Sequence, residues 1–253
     1  MKNILFIIPH PDDEIVGCCS IIRKFLVEKK NIHLFFVTNG VLPEESMWFW
    51  QKRKKNQMIN KRRQEMLQSL KTLGIESFIC QDIPTRTLKE KISETYHRIK
   101  KTILSKKIDT IFCPAYEGGH QDHDISNFIC SKFLGLCVIK EFPEYNFSNK
   151  KINCNTFIVP TKNQKIFQLS NQEKKFKEKC LRIYESEKSN LNYVKTENES
   201  YRPIFNYDYS IPPHEGVMFY RRYRLFSWHP RVDGDNPKKI CEILKKSQIY
   251  KLK

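Results

Sequence analysis

Ile4-Leu5-Phe6-Ile7-Ile8, followed at once by Pro9-His10-Pro11-Asp12-Asp13-Glu14, decides how this chain is to be read. The five apolar residues are rich in β-branched types and lack helical spacing, so they read as a strand buried on both faces, the kind that parallel sheets contain. The two prolines disfavour helix until about Asp13, and residues 13–29 then carry a helical pattern. An imidazole and two carboxylates therefore fall at the carboxyl end of a central strand and the start of a helix, where open α/β sheets place their ligands. Carboxylates in a first helical turn also occur simply as groups that complement the helix dipole, so a second signal is needed.

Gly118-Gly119-His120-Gln121-Asp122-His123-Asp124 supplies it, again after a short apolar strand, Thr110-Ile111-Phe112-Cys113. A parallel sheet brings the carboxyl ends of neighbouring strands to one edge, so the two clusters can converge on one ion. A site of His10, Asp13 and His123 is then physically reasonable, with Asp12, His120 and Asp122 left for chemistry. Three nitrogen and carboxylate ligands leave a position open for water, the mark of a catalytic zinc site. Iron or cobalt would also suit this donor set, because affinity alone does not select among divalent ions.

Along the chain, strand and helix patterns alternate. Strands are expected at 2–9, 32–38, 77–80, 109–113 and 137–142, and helices near 13–29, 57–73, 88–105 and 123–135. Parallel strands need crossovers of this length, and their right-handedness places helices on both faces. The expected fold class is α/β, a Rossmann-like doubly wound, mostly parallel sheet with an irregular C-terminal extension. The first turn lacks Gly-x-Gly-x-x-Gly, so no dinucleotide is expected. Residues 39–56 read as a long loop carrying Met47-Trp48-Phe49-Trp50. After residue 145 the pattern weakens to a helix at about 171–187, a Pro-rich irregular stretch at 202–213, a strand at 217–223 and a short helix after Asn236.

At 253 residues the chain is read as one domain, 1–253, with a core of about 1–145 and an extension of about 146–253. The longest early apolar run is far shorter than a membrane span or a signal peptide, so a cytoplasmic location is expected. Nine cysteines without a Cys-x-x-Cys pair read as reduced thiols, with Cys18 and Cys19 packing the first helix. The net charge of +17 raises nucleic acid as a partner. No recognition motif accompanies it, and charge alone would not call for two His/Asp clusters. A basic face toward a phosphate-bearing substrate, or peripheral association with an anionic membrane, fits the charge better.

The two clusters resemble the hallmarks of the PIG-L-like (LmbE-like) zinc-dependent N-deacetylases: His-Pro-Asp-Asp-Glu after the first strand, here His10 to Glu14, and a later His-x-Asp-His, here His120, Asp122 and His123. Thr38-Asn39-Gly40, Arg62-Arg63-Gln64-Glu65 and the segment from Tyr207 to Gly216 extend the likeness. The resemblance implies removal of the N-acetyl group from an N-acetylated amino sugar, small or lipid-linked, in a glycoconjugate or its biosynthetic intermediate. It implies Asp12 as general base, His120 as oxyanion donor oriented by Asp122, and Arg62 as a sugar-binding residue; His214 is a further substrate-binding candidate. An amidase on a thiol or amino conjugate, or a glycan-binding module that has lost catalysis, are the competing readings. One departure stands out: Gly118 takes the place where some members carry a tyrosine that assists the tetrahedral intermediate.

Overall fold

The computed structural model describes residues 2–223, 226, 229 and 232–252. Its centre is a seven-stranded sheet in the order β3-β2-β1-β4-β5-β9-β8. The strands are β1 (Asn3–Ile8), β2 (Asn31–Phe36), β3 (Phe78–Cys80), β4 (Thr110–Pro114), β5 (Val138–Phe142), β8 (Lys165–Gln168) and β9 (Asn198–Pro203). The first five are mutually parallel, while β9 runs antiparallel to both β5 and β8. A separate two-stranded ribbon joins β6 (Tyr145–Asn146) to β7 (Asn153–Cys154).

Side-chain alternation along β1 splits the interior in two. Leu5 and Ile7 point into one core with α5 (Ile92–Ser105), α6 (Gln121–Ser131) and α8 (Pro237–Lys246). Ile4, Phe6 and Ile8 point into the other, with α1 (Asp13–Val16), α2 (Cys19–Val27), α4 (Lys55–Leu73) and α7 (Asn171–Leu181). This is why the run from Ile4 to Ile8 is apolar at every position: both faces of the strand are covered. From β1 the chain builds β2 and β3 to one side, then crosses to β4 and β5 on the other. The carboxyl ends of β1 and β4 thus flank the switch point at which such sheets hold ligands.

The expected doubly wound fold is present, with differences in detail. The helix expected over 13–29 breaks at Gly17 and Cys18. The carbonyl of Val16 accepts from Lys177 Nζ at 2.8 Å rather than from a following helical N–H. The N–H groups of Ser20 and Ile21, which open α2, donate to Glu199 Oε2 at 2.9 and 3.0 Å. Lys177 and Glu199 pair at 2.9 Å, fully buried. The loop over 39–56 contains a 3₁₀ turn at Glu44–Ser46 and a short helix, α3 (Phe49–Lys52). The helix expected to reach 187 ends at Leu181, and the strand expected at 217–223 is a 3₁₀ turn at Phe219–Arg221. The extension is less irregular than its sequence suggests, since it adds β8 and β9 to the sheet. All nine cysteines are free, and Cys18 and Cys19 are buried against the first helices.

Breaking a buried ion pair from one side strands a charge, which costs about 3–5 kcal/mol. Glu199→Ala is expected to lose roughly that much in urea unfolding, because it strands the Lys177 ammonium and uncaps α2 together. Lys177→Met should cost less, since Glu199 keeps both backbone donors and the positive end of α2.

Candidate active site

The two His/Asp clusters meet. His10 and Asp13 follow β1, and His123 lies in the first turn of α6, just after the loop that leaves β4. Asp13 Oδ2 is 3.0 Å from His10 Nδ1 and 3.1 Å from His123 Nε2, and the two ring nitrogens are 3.2 Å apart. All three side chains are buried. The outer nitrogen of each ring faces a further acceptor: His10 Nε2 lies 3.1 Å from Asp122 Oδ2, and His123 Nδ1 lies 3.3 Å from Glu144 Oε2. A proton held on each outer nitrogen leaves both inner nitrogens as lone-pair donors aimed at one point beside Asp13. The Asp122 carboxylate, hydrogen-bonded behind His10, enforces this arrangement at that ring. The donor set therefore fits a divalent cation with borderline preferences such as zinc. Burial opposes charge on His10, but Asp13 and Asp122 outweigh it and lift its pKa to about 10.

A second trio, His10, His120 and Asp122, also lies within ligand range. It is the poorer metal site because Asp122 Oδ2 is already engaged by Arg86 N–H at 2.7 Å, Thr85 Oγ1–H at 2.9 Å and His10 Nε2 at 3.1 Å. Those contacts hold the Asp122 carboxyl well below the usual carboxylate range even though burial opposes its charge. Asp122 thus sits closer to His10 than to His120, whose Nδ1 is 3.6 Å away. His120 Nδ1 instead accepts the Asp122 backbone N–H at 3.1 Å, capping α6. Burial and the neighbouring His10 charge drive the His120 pKa well down, leaving a neutral ring whose Nε2 carries the proton.

Asp12 is in a backbone conformation unusual for a non-glycine residue, φ 136°. Its N–H donates to Glu14 Oε2 at 3.0 Å, while Glu14 Oε1 accepts from Ser69 Oγ at 2.6 Å and Tyr184 Oη at 2.5 Å. Strain of this kind costs about 1–3 kcal/mol and persists where surrounding bonds over-determine it. Here the bonds come from α4 and from the chain after α7. Burial, then the Asp13 charge, raise the Asp12 pKa well above normal, and Arg62 restrains the rise from 3.3 Å. Arg62 itself is buried, donating to Pro11 O at 2.8 Å and pairing with Glu187. Its guanidinium is committed to the protein, which departs from the expected fork toward a sugar. His214 lies over Gly118, with its Nδ1 accepting from Gly216 N–H at 3.0 Å.

Gly118 has φ +68°, and a Cβ there would stand 2.2 Å from Met218 Sδ; one on Gly119 would stand 2.3 Å from the Tyr145 carbonyl oxygen. The missing tyrosine therefore has no room. Tyr145 approaches instead from the start of β6, its hydroxyl 3.5 Å from His123 Nε2 and its ring edge-on to His123 at 5.2 Å. Burial raises its pKa and keeps the phenol a donor. Thr85, Arg86, Glu144 and Tyr145 carry no motif. Their signal was positional, because each lies just past the carboxyl end of a parallel strand.

The family model described as PIG-L, GlcNAc-PI de-N-acetylase, matches residues 5–134, the stretch that includes both clusters. The chain belongs to the PIG-L family. No curated protein sequence matches it. Among solved structures it is similar to a deacetylase of teicoplanin biosynthesis, at 12% identity and TM-score 0.64, covering 82% of this chain and 99% of that one. It is also similar to N,N'-diacetylchitobiose deacetylase from Pyrococcus horikoshii, at 18% identity and TM-score 0.56, covering 79% and 83%. A third is GalB, the 4-carboxy-2-hydroxymuconate hydratase of Pseudomonas putida, at 12% identity and TM-score 0.54, covering 82% and 98%. At these identities the likeness is one of fold, and the hydratase shows that a PIG-L-like fold also carries other chemistry.

Glu117, beside Gly118, is buried, and burial lifts its pKa to about 8 although Ile158 N–H donates to it at 2.6 Å. In the unfolded chain it ionises near its ordinary 4.5. The folded state therefore holds an extra proton between these values, and the group's contribution to stability, complete below the lower one, fades as pH rises to the upper. Glu117→Gln, which cannot ionise, should gain stability over the parent across that window by up to about 1.4 kcal/mol per pH unit and level off above it. Urea unfolding at a series of pH values reads the margin; a constant margin would mean that Glu117 is ionised throughout.

Proposed function

We propose that the chain is a metal-dependent hydrolase that removes the N-acetyl group from an N-acetylated amino sugar of a glycoconjugate or its biosynthetic intermediate. The observation that carries this reading is the convergence of His10 Nδ1, Asp13 Oδ2 and His123 Nε2 within 3.2 Å of one another. Membership of the PIG-L family and the fold shared with two deacetylases support it.

His10, Asp13 and His123 would hold the ion, most suitably zinc. A divalent cation so held makes water more acidic and polarises an amide oxygen, the two hard requirements of amide hydrolysis. Asp12 takes the proton of the attacking water and delivers it to the amine as the C–N bond breaks. Burial, then the Asp13 charge, raises its pKa above the ordinary carboxylate range, which makes it a stronger base than a free aspartate. Arg62, locked by Glu187 and the Pro11 carbonyl, holds the Asp12 carboxylate in place. Neutral His120, through Nε2–H, and Tyr145, through its hydroxyl, donate to the oxyanion as the carbonyl carbon becomes tetrahedral. Asp122 acts through His10, fixing its tautomer.

Elemental analysis should find about one zinc per chain, and His123→Ala should lose most of it. Asp12→Asn should keep the metal yet lower acetate release from N-acetylglucosamine derivatives by roughly 10²- to 10⁴-fold, the range for a lost general base, whereas Asp13→Asn should release metal. An inverted pattern would refute the assignment of base and ligand.

Tyr145→Phe should retain metal and KM while kcat drops by roughly tenfold to a thousandfold, the scale for one oxyanion donor. An unchanged kcat would leave His120 as the oxyanion donor by itself.

A further inference from the structure

Residues 46–64 contain Lys52, Arg53, Lys54, Lys55, Lys61, Arg62 and Arg63 and no acidic residue. Arg62 is turned inward, Lys55 faces Glu44 at 3.7 Å and Lys61 faces Glu185 at 3.3 Å. Lys52, Arg53 and Lys54 are exposed, with no ion-pair partner among the described residues. Beside them, α3 buries none of its residues: Phe49 is 70% and Trp50 51% exposed. Trp48 stacks on Trp50 at 5.1 Å with their planes 8° apart, and Phe49 meets Trp50 edge-on at 4.8 Å. Phe49 and Trp50 thus form an exposed apolar knob, backed by half-buried Trp48, which meets His229 edge-on at 6.1 Å, and three exposed cations follow it in the chain.

The knob is joined on both sides to segments that reach the candidate site. Gly40, at the start of its loop, lies against Pro11 and Arg62. From the first residue of α4, directly after the knob, Arg62 is seven residues along the helix, a rise of about 10 Å.

We propose that this knob and its basic collar form a docking surface for an anionic lipid bilayer. Amphipathic aromatic rings settle at the headgroup level, where the apolar body is buried and the indole N–H stays wet. Lysine and arginine beside them gain attraction from the negative surface of an anionic leaflet. Single-stranded nucleic acid, the other partner of basic aromatic surfaces, stacks its bases on successive open ring faces along a groove. Here Trp48 and Trp50 cover one another's faces. The surface is independent of the chemistry proposed above, and its test needs no turnover.

The full-length chain is mixed with vesicles of phosphatidylcholine alone or with phosphatidylserine at 3:1, and sedimentation is read together with quenching of tryptophan fluorescence by brominated acyl chains. Binding to the anionic vesicles, with quenching that is absent from Trp48→Phe/Trp50→Phe, is expected. At about 1 kcal/mol per cation near the surface, Lys52→Glu/Arg53→Glu/Lys54→Glu should weaken partitioning by about a hundredfold or more. Phe49→Ala/Trp50→Ala should weaken it by at least about tenfold while leaving the circular dichroism spectrum and acetate release from a soluble substrate unchanged. Failure to bind anionic vesicles, binding without quenching, or full binding by Phe49→Ala/Trp50→Ala would overturn the proposal. So would tighter binding to a single-stranded oligonucleotide that the same substitutions abolish.

Discussion

One carboxylate oxygen, Asp13 Oδ2, lies against the backbone N–H of its own loop at 2.9 Å, His10 Nδ1 at 3.0 Å and His123 Nε2 at 3.1 Å. It is the point at which residues 113 apart in the chain become one site. Two neighbours are in turn fixed from behind, His10 by Asp122 and Asp12 by Arg62, and Glu144 lies 3.3 Å behind His123. Supporting bonds of this sort hold candidate ligands in a fixed geometry. The geometry also depends on the α1–α2 break, where Lys177 and Glu199 take up the backbone groups that a continuous helix would have paired internally.

Charge is distributed against the composition. The chain carries an excess of Lys and Arg, yet eleven of its 28 acidic residues are buried against three of its 45 basic ones, among the described residues. The interior edge of the sheet is therefore acidic while the surface is more basic than the net charge conveys. Burial, and after it the neighbouring Asp13 charge, raises the pKa of the carboxylates that share this interior, as at Asp12 and Glu144. A basic exterior attracts anions at longer range, where salt screens it.

Fold alone does not decide the chemistry, since a hydratase and two deacetylases share it with this chain. What argues for hydrolysis is local. Asp12 has a raised pKa, stands next in sequence to a candidate ligand and is held by an arginine; His120 is neutral and free at Nε2 to donate. Tyr145 takes up the space near the candidate site that Gly119 leaves open by lacking a side chain, and Met218 the space at Gly118.

The sequence by itself determined the parallel core and the two clusters that meet in the candidate site, because both are written in local patterns. The run from Ile4 to Ile8 is apolar on both faces since helices cover both, and the His/Asp clusters follow strands whose carboxyl ends must share an edge. It did not reveal β9. Glu199, Ser200 and Arg202 are buried there but polar, each satisfied by a partner far away in the chain, so the strand lacks an apolar period. Nor did it reveal Glu144 and Tyr145, which lie past β5 without a motif, or that Arg62 faces Asp12 rather than open space. Those facts depend on which loops meet, and only the order of strands in the sheet fixes that.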